Sequence, residues 1–270
     1  MIRAVRLVRR SAQLANTFSL RSLVHAEMRP ERASSSSSTL PLDDPFHKPS
    51  SPSSSSGDNR VRIEDFYKEH QIKLLGSEAS SFLPFVDFDS TPFAPKLQKS
   101  LKSQGYTSPT PIQSVAWSVA SQGRDLIAVA KTGSGKTCGF LLPALHIIGS
   151  NLENASTSSS NSDVRKSRSR LRAYRAPSVL ILAPTRELAV QIEVEAKKFA
   201  SITGMTAGCV YGGASRNGQI DMLRRGIDIV IATPGRCNDL AEMGALNLSQ
   251  VNYLVMDEAD RMLDMGFEVS

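Results

Sequence analysis

Leu126-Ile-Ala-Val-Ala-Lys-Thr-Gly-Ser-Gly-Lys-Thr137 is the stretch on which the fold turns. Five apolar residues run unbroken into a turn of small residues, and a helix-like stretch, 136–148, follows. An unbroken apolar run suits a parallel strand buried on both faces. A strand that passes through a glycine-rich turn into a helix is the setting of a phosphate-binding loop. Within Ala130–Thr137, the small residues Gly133, Ser134 and Gly135 let successive backbone N–H groups curl around an oxyanion. The helix N-terminus adds positive potential. Lys136 is expected to reach the terminal phosphates, and the Thr137 hydroxyl to ligate Mg2+. Lys131 and Thr132 complete the loop, and Ala130 stands where the general pattern has Gly.

Outward from this loop, strands and helices alternate. Further apolar runs lie at Val179–Ala183, Ala207–Val210, Ile227–Ala232 and Tyr253–Met256, with helix-like stretches at 111–121, 187–200, 216–225 and 236–243. Alternation of this kind predicts an open, doubly wound α/β sheet with helices on both faces. In that architecture ligands bind beyond the carboxyl ends of the strands.

The run Tyr253-Leu-Val-Met256 delivers Asp257-Glu-Ala-Asp260 to such an end. A carboxylate leaving a buried strand beside a phosphate loop is the usual second holder of a nucleotide's Mg2+, here Asp257. Glu258 is then placed to orient or deprotonate an attacking water. The alternative is that both acids only stabilise a helix N-terminus through its dipole. Two distant halves of one metal–phosphate site favour the first reading.

Hydrophobic residues make up 40% of the 270, enough for one sizeable α/β core. Net charge is +6, but residues 1–60 and 149–177 each carry +4, leaving −2 for the rest. The basic excess therefore sits in segments outside the expected core and says little about a nucleic-acid surface. Cys138, Cys209 and Cys237 are widely separated, so neither a disulfide framework nor a zinc site is readable. No apolar run approaches the roughly 18–20 residues of a membrane helix.

Residues 1–26 hold five Arg and no acid, with Ile2, Val5, Val8 and Ala12 at helical spacing. This predicts an organellar transit peptide, mitochondrial in the first instance, with chloroplast or nucleus as alternatives. Residues 27–60, rich in Ser and Pro, are expected to be a disordered linker, and 61–81 a short extension with a helix. The expected ATP-binding domain spans 82–270 and is interrupted by a basic, structureless insertion at 149–177. That insertion is either a solvated loop or an auxiliary phosphate contact.

The motifs together resemble the DEAD-box ATP-dependent RNA helicases over roughly residues 85–268, in the family's order. Gly105-Tyr-Thr-Ser-Pro-Thr-Pro-Ile-Gln113 is similar to the family's adenine-reading segment, and Phe88 matches its upstream aromatic. The resemblance implies that Gln113 hydrogen-bonds the adenine edge and Phe88 stacks on the base. Read without the family, Gln113 is a polar helix residue and Phe88 a core aromatic. Pro184-Thr-Arg-Glu-Leu-Ala189, Gly212-Gly213 and Thr233-Pro-Gly-Arg236 resemble the three RNA-contacting motifs. By that resemblance Pro184, Thr185, Arg186, Gly212, Gly213, Thr233, Pro234, Gly235 and Arg236 grip one strand by its sugar–phosphate backbone, without base preference. On the residues alone, Thr185 and Thr233 are equally well helix caps. Asp260 is implied to couple motifs, and Lys131 stands where many members carry Gln.

The resemblance implies a RecA-like P-loop NTPase fold, ATP and Mg2+ as cofactors, and RNA as partner. It also implies a Ser-Ala-Thr motif and a second RecA-like domain beyond the point where this sequence stops. The strand leading to Ser-Ala-Thr belongs between the phosphate-loop strand and the Asp257 strand, so the sheet is expected to be incomplete at its C-terminal end and the chain only partly folded. Arg residues of the second domain are expected at the γ-phosphate, and their loss to slow catalysis. The expected function is an RNA-stimulated ATPase that separates short duplexes. The alternative is an inactive truncated form that binds RNA or nucleotide, and a P-loop ATPase acting on no nucleic acid is disfavoured by the other motifs.

Overall fold

The computed structural model describes residues 3–9, 56–75, 82–131, 133–157 and 176–266. Thr132, most of the Ser/Pro-rich linker, residues 10–26 and residues 158–175 of the insertion lie outside the described residues.

In chain order the elements are β1 (Arg3–Arg9), α1 (Ser56–Glu69), α2 (Pro95–Ser103), α3 (Pro111–Ser121), β2 (Leu126–Ala130), α4 (Lys136–Thr157) and β3 (Val179–Leu182). Then follow α5 (Arg186–Thr203), β4 (Ala207–Val210), α6 (Arg216–Arg224), β5 (Ile229–Ala232), α7 (Pro234–Glu242), β6 (Tyr253–Asp257) and α8 (Ala259–Asp264). Helix boundaries follow local chemistry. Pro95, Pro111 and Pro234 open α2, α3 and α7 at positions whose N–H a helix does not use. Thr185 caps α5 through its hydroxyl, and Gly204 closes the same helix at φ +71°.

The six strands form one sheet in the order β2-β1-β6-β3-β5-β4. β3 is parallel to β5 and β6, and β4 is parallel to β5. Along β3, Val179 and Ile181 join the core on one face with Trp117, Leu141 and Phe199. Leu180 and Leu182 join the opposite core with Leu240 and Met262. Burial on both faces is why this strand is apolar at every position.

Two expectations about β1 need correcting. Residues 3–9, read at helical spacing, form a strand antiparallel to both β2 and β6. The expected gap between the phosphate-loop strand and the Asp257 strand is the place that β1 takes. Arg3 pairs with Ala130 on one side and Val5 with Asp257 on the other. Backbone on either side thus has partners, which removes the reason for expecting a partly folded chain. A segment of mixed Val, Leu and Arg has no strong preference of its own, so pairing with two neighbours decides its conformation. β2 also departs from expectation: Ala128 is buried, but Ile127 and Val129 are 66% and 56% exposed. The face of β2 that carries Ala128 packs against α3 and α4, and the opposite face, with Ile127 and Val129, is open.

Candidate active site

The phosphate loop is shaped by what its carbonyls do. Thr110 Oγ1 donates to the Ser134 carbonyl at 2.8 Å, and Gln113 Nε2 donates to the Gly135 carbonyl at 3.0 Å. In a trans peptide the N–H following each carbonyl points the opposite way. Holding these two carbonyls toward α3 therefore turns the N–H groups of Gly135 and Lys136 away from it, as an oxyanion cradle requires. Gly133 and Gly135 sit at φ +78° and +85°, conformations that favour glycine. Lys136 Nζ donates to the carbonyls of Ala130 and Lys131 at 2.8 and 2.7 Å, so its ammonium lies across the loop.

A methyl group at position 135 would meet Gln113 Nε2 at 2.5 Å and Thr110 Oγ1 at 3.2 Å. Gly135→Ala is therefore expected to destabilise the fold by about 1–2 kcal/mol from backbone strain alone. It should also loosen the loop by displacing Gln113. Urea denaturation beside a titration with a fluorescent ATP analogue measures both effects; an unchanged urea midpoint would refute the strain argument.

Across β1, Asp257 ends β6 and Glu258 follows it, both buried at 5% and 3% exposure. Glu258 adopts φ +54°, ψ +46° at the N-cap of α8 and makes no side-chain cap bond. A left-handed non-glycine residue costs about 1–2 kcal/mol and persists where its surroundings hold it. Such strain is found at functional positions more than at mere helix caps, so it favours the chemical reading of Glu258. Arg261 Nη1 stands 3.6 Å from its carboxylate, and Asp260 is exposed in the first turn of α8.

β2 and β6 are both antiparallel to β1, so they run the same way and release their motifs at one edge of the sheet. With one strand between them, their axes are about 10 Å apart. A second tie joins the two halves: the Tyr253 hydroxyl of β6 donates to the Phe140 carbonyl of α4 at 3.2 Å. Complete burial pushes the Tyr253 phenol well above its ordinary value, so it stays a neutral donor. The oxygen donors at this edge, Thr137 and Asp257, suit a hard cation that keeps phosphate and water ligands. Ser134 Oγ is buried there without a hydrogen-bond partner among the described residues, as a loop awaiting an oxyanion or metal would leave it. No cluster of three or more His, Cys, Asp or Glu stands together among the described residues.

The adenine-side residues stand differently from their expected roles. Gln113 is 2% exposed and its amide is engaged, Oε1 accepting from the Thr110 N–H at 3.0 Å and Nε2 holding Gly135. Phe88 is 2% exposed in the core, its ring 6.2 Å from Trp117. Here it is a packing aromatic rather than a ring open to a base.

The three remaining loops lie at the ends of β3, β4 and β5. Thr185 accepts from the Leu188 N–H at 3.3 Å and so does cap α5, whereas Thr233 makes no cap bond at α7. Pro184 and Pro234 are buried, and Arg186, Gly212, Gly213 and Gly235 are exposed. Arg186 stacks its guanidinium 4.8 Å above the Tyr211 ring. Arg236, expected to reach outward, is only 9% exposed and bonds the Ala214 carbonyl and Gln219 Oε1. Its Nη1 is thus turned inward, toward the loop that follows β4 and toward α6.

Three positioning residues escaped the sequence reading. Thr110 carried a usable signal, the Thr-x-x-Gln spacing of a reciprocal cap. Tyr253 and Gln219 carried none, since each acts through a partner distant in sequence. The three cysteines are buried free thiols; burial pushes Cys138 up to about 11 and Cys209 and Cys237 up to about 12.

Comparison with known proteins bears on the whole arrangement. The model of the DEAD/DEAH box helicase family matches residues 110–270. The chain belongs to this family. It is 44% identical over 216 residues to DEAD-box ATP-dependent RNA helicase 14 of Arabidopsis thaliana, covering 80% of this chain and 32% of that protein. It is 48% identical over 207 residues to the ATP-dependent RNA helicase DBP2 of Scheffersomyces stipitis, covering 76% and 35%. Among solved structures, the RNA helicase Prp28 from Chaetomium thermophilum bound to ADP is 38% identical with a TM-score of 0.62, over 82% of this chain and 49% of that one. This DEAD/DEAH box chain therefore spans about a third of the length of the curated relatives it matches. The family has the RecA-like fold expected from the sequence. No helix among the described residues is long and apolar enough to cross a membrane.

Proposed function

We propose that this chain is the ATP-binding half of an ATP-dependent RNA helicase, in which nucleotide binding and hydrolysis drive a grip on RNA backbone. The observation that carries the reading is the shared sheet edge. Lys136 and Thr137 leave one parallel strand, Asp257 and Glu258 leave another, and the Tyr253–Phe140 bond fastens the two elements together.

In this reading Lys136 gives up its loop carbonyls to contact the terminal phosphates. Thr137 and Asp257 hold Mg2+, which when bound neutralises phosphate charge. Glu258 orients the attacking water and takes its proton. Gln113 exchanges Gly135 and Thr110 for the adenine edge, while Phe88 supports that side from the core. Ala130, Lys131, Thr132, Gly133, Ser134 and Gly135 cradle the phosphates. Pro184, Thr185, Arg186, Gly212, Gly213, Thr233, Pro234 and Gly235 form the surface for the RNA backbone, and Arg236 supports it from beneath. A second RecA-like domain supplies the cations that complete the γ-phosphate site, and Asp260 couples the motifs to it. That a similar protein was solved with ADP supports the nucleotide assignment.

The reading extends to a mitochondrial address in residues 1–26, supported by five Arg and no acid. Fractionation of cells expressing a C-terminal fluorescent fusion tests it; exclusion from mitochondria would end it.

The central test is equilibrium binding by the full chain. A fluorescent ATP analogue with Mg2+ is expected to bind, and single-stranded RNA ten-mers of different sequence to bind alike, with affinity falling steeply as salt rises. No nucleotide binding at millimolar concentration would overturn the proposal.

A further inference from the structure

Gln219 lies on α6, outside every motif named above, yet its side chain joins two of them. It is 8% exposed, and a buried amide is costly unless both of its ends are bonded. Here Nε2 donates to the Tyr211 carbonyl at 3.0 Å, and Oε1 accepts from Arg236 Nη1 at 2.9 Å. The same Arg236 nitrogen donates to the Ala214 carbonyl at 3.3 Å. The turn Tyr211-Gly-Gly-Ala214 is thus pinned at its first and last residues by two side chains bonded to each other. Between the pins, Gly212 and Gly213 are exposed, Gly213 at φ +81°, with no atom within 4 Å of where a Cβ would stand on either. Arg236 is held in turn by Asp239, 3.7 Å from its Nε. Tyr211 also carries the Arg186 guanidinium on its ring, which brings in the third loop.

We propose that Gln219 is a positioning residue for RNA: its amide sets the Gly212-Gly213 turn against the Thr233–Arg236 loop, so that both present their backbone to one strand in a single register. The inference rests on the RNA-binding reading given above. It assigns to a residue of α6, which touches no RNA itself, control over affinity for RNA backbone but not for nucleotide. The phosphate loop lies at the end of β2 and the Gly212-Gly213 turn at the end of β4, at opposite ends of the strand order. A loosened turn should therefore leave the nucleotide site untouched.

Two variants of the full chain test it. Gln219→Met keeps the volume and removes both bonds. Gln219→Glu keeps an acceptor for Arg236 and sets a carboxylate oxygen against the Tyr211 carbonyl. A fluorescein-labelled single-stranded RNA ten-mer, a fluorescent ATP analogue and the thermal midpoint are read for each, together with amide exchange at Gly212, Gly213 and Ala214. Both variants are expected to bind RNA about tenfold more weakly. Nucleotide affinity should stay within about twofold, and exchange in the turn should quicken. If Gln219→Met fails to fold, Gln219→Glu carries the comparison, because it retains the Arg236 contact. Unchanged RNA affinity in a folded variant overturns the inference. So does a parallel fall in RNA affinity, nucleotide affinity and thermal midpoint in both variants, which marks a merely structural role. A wild-type chain that binds nucleotide but no RNA overturns the RNA reading itself, and this inference with it.

Discussion

Glu258→Gln is expected to slow ATP hydrolysis by about two to four orders of magnitude while leaving the nucleotide bound, because it removes a proton acceptor and keeps the side chain's size. The amide has the size of the carboxylate, and α8 makes no cap bond through this side chain. Its ion pair with Arg261 is long, 3.6 Å, and Arg261 is half exposed, so losing that charge costs the fold little. Neutralising a side chain that is 3% exposed also relieves desolvation. The phenotype is therefore a split one: near-normal affinity for a fluorescent ATP analogue and near-absent phosphate release in single-turnover assays at high protein concentration. Hydrolysis within about threefold of the unaltered chain would place the base elsewhere. Loss of binding would make Glu258 a holder of the site rather than its base.

Removing Met1–Arg10 is expected to cost most of the folding free energy. β1 is bonded along both sides, with five register pairs to β2 and five to β6. At about 0.5–1.5 kcal/mol net per backbone hydrogen bond, their sum is comparable to the 5–15 kcal/mol that holds a typical domain together. The loss is also geometric, since β2 then has no strand joining it to β6 and the phosphate loop loses its distance from Asp257. The shortened chain should melt at much lower urea, and the amides of β2 and β6 that bond to β1 should exchange rapidly. A synthetic peptide of residues 1–10 added to the shortened chain should restore part of their protection. A urea midpoint unchanged by the deletion would mean that the sheet does not depend on β1.

What the sequence made legible was chemistry carried by neighbours. The span 111–121 is helical as read, because Thr110, Pro111 and Gln113 all act within one turn. The strands at Val179, Ala207 and Tyr253 begin as read, because burial on both faces leaves no polar position to blur the run. What stayed hidden depends on partners far along the chain. Arg3–Arg9 mixes apolar and cationic residues at a spacing compatible with helix or strand, and only two waiting neighbours settle it. The motif Thr233–Arg236 was legible, but not that Arg236 Nη1 bonds Gln219 and Ala214. Phe88 matched the spacing of a base-stacking ring, but spacing does not state that Trp117 lies beside it. The left-handed turn at Glu258 was equally invisible, since nothing about a glutamate announces that conformation.

β1 sets two demands on the same few residues. A segment threaded through the middle of a sheet cannot at that moment lie in the groove of an import receptor, so any recognition of Arg3, Arg6 and Arg9 must come while the polypeptide is still unthreaded. Any cleavage that removed these residues afterwards would draw a slat from the middle of the sheet, and the seam between the nucleotide loop and the acidic strand would stay open until another strand of the protein closed it.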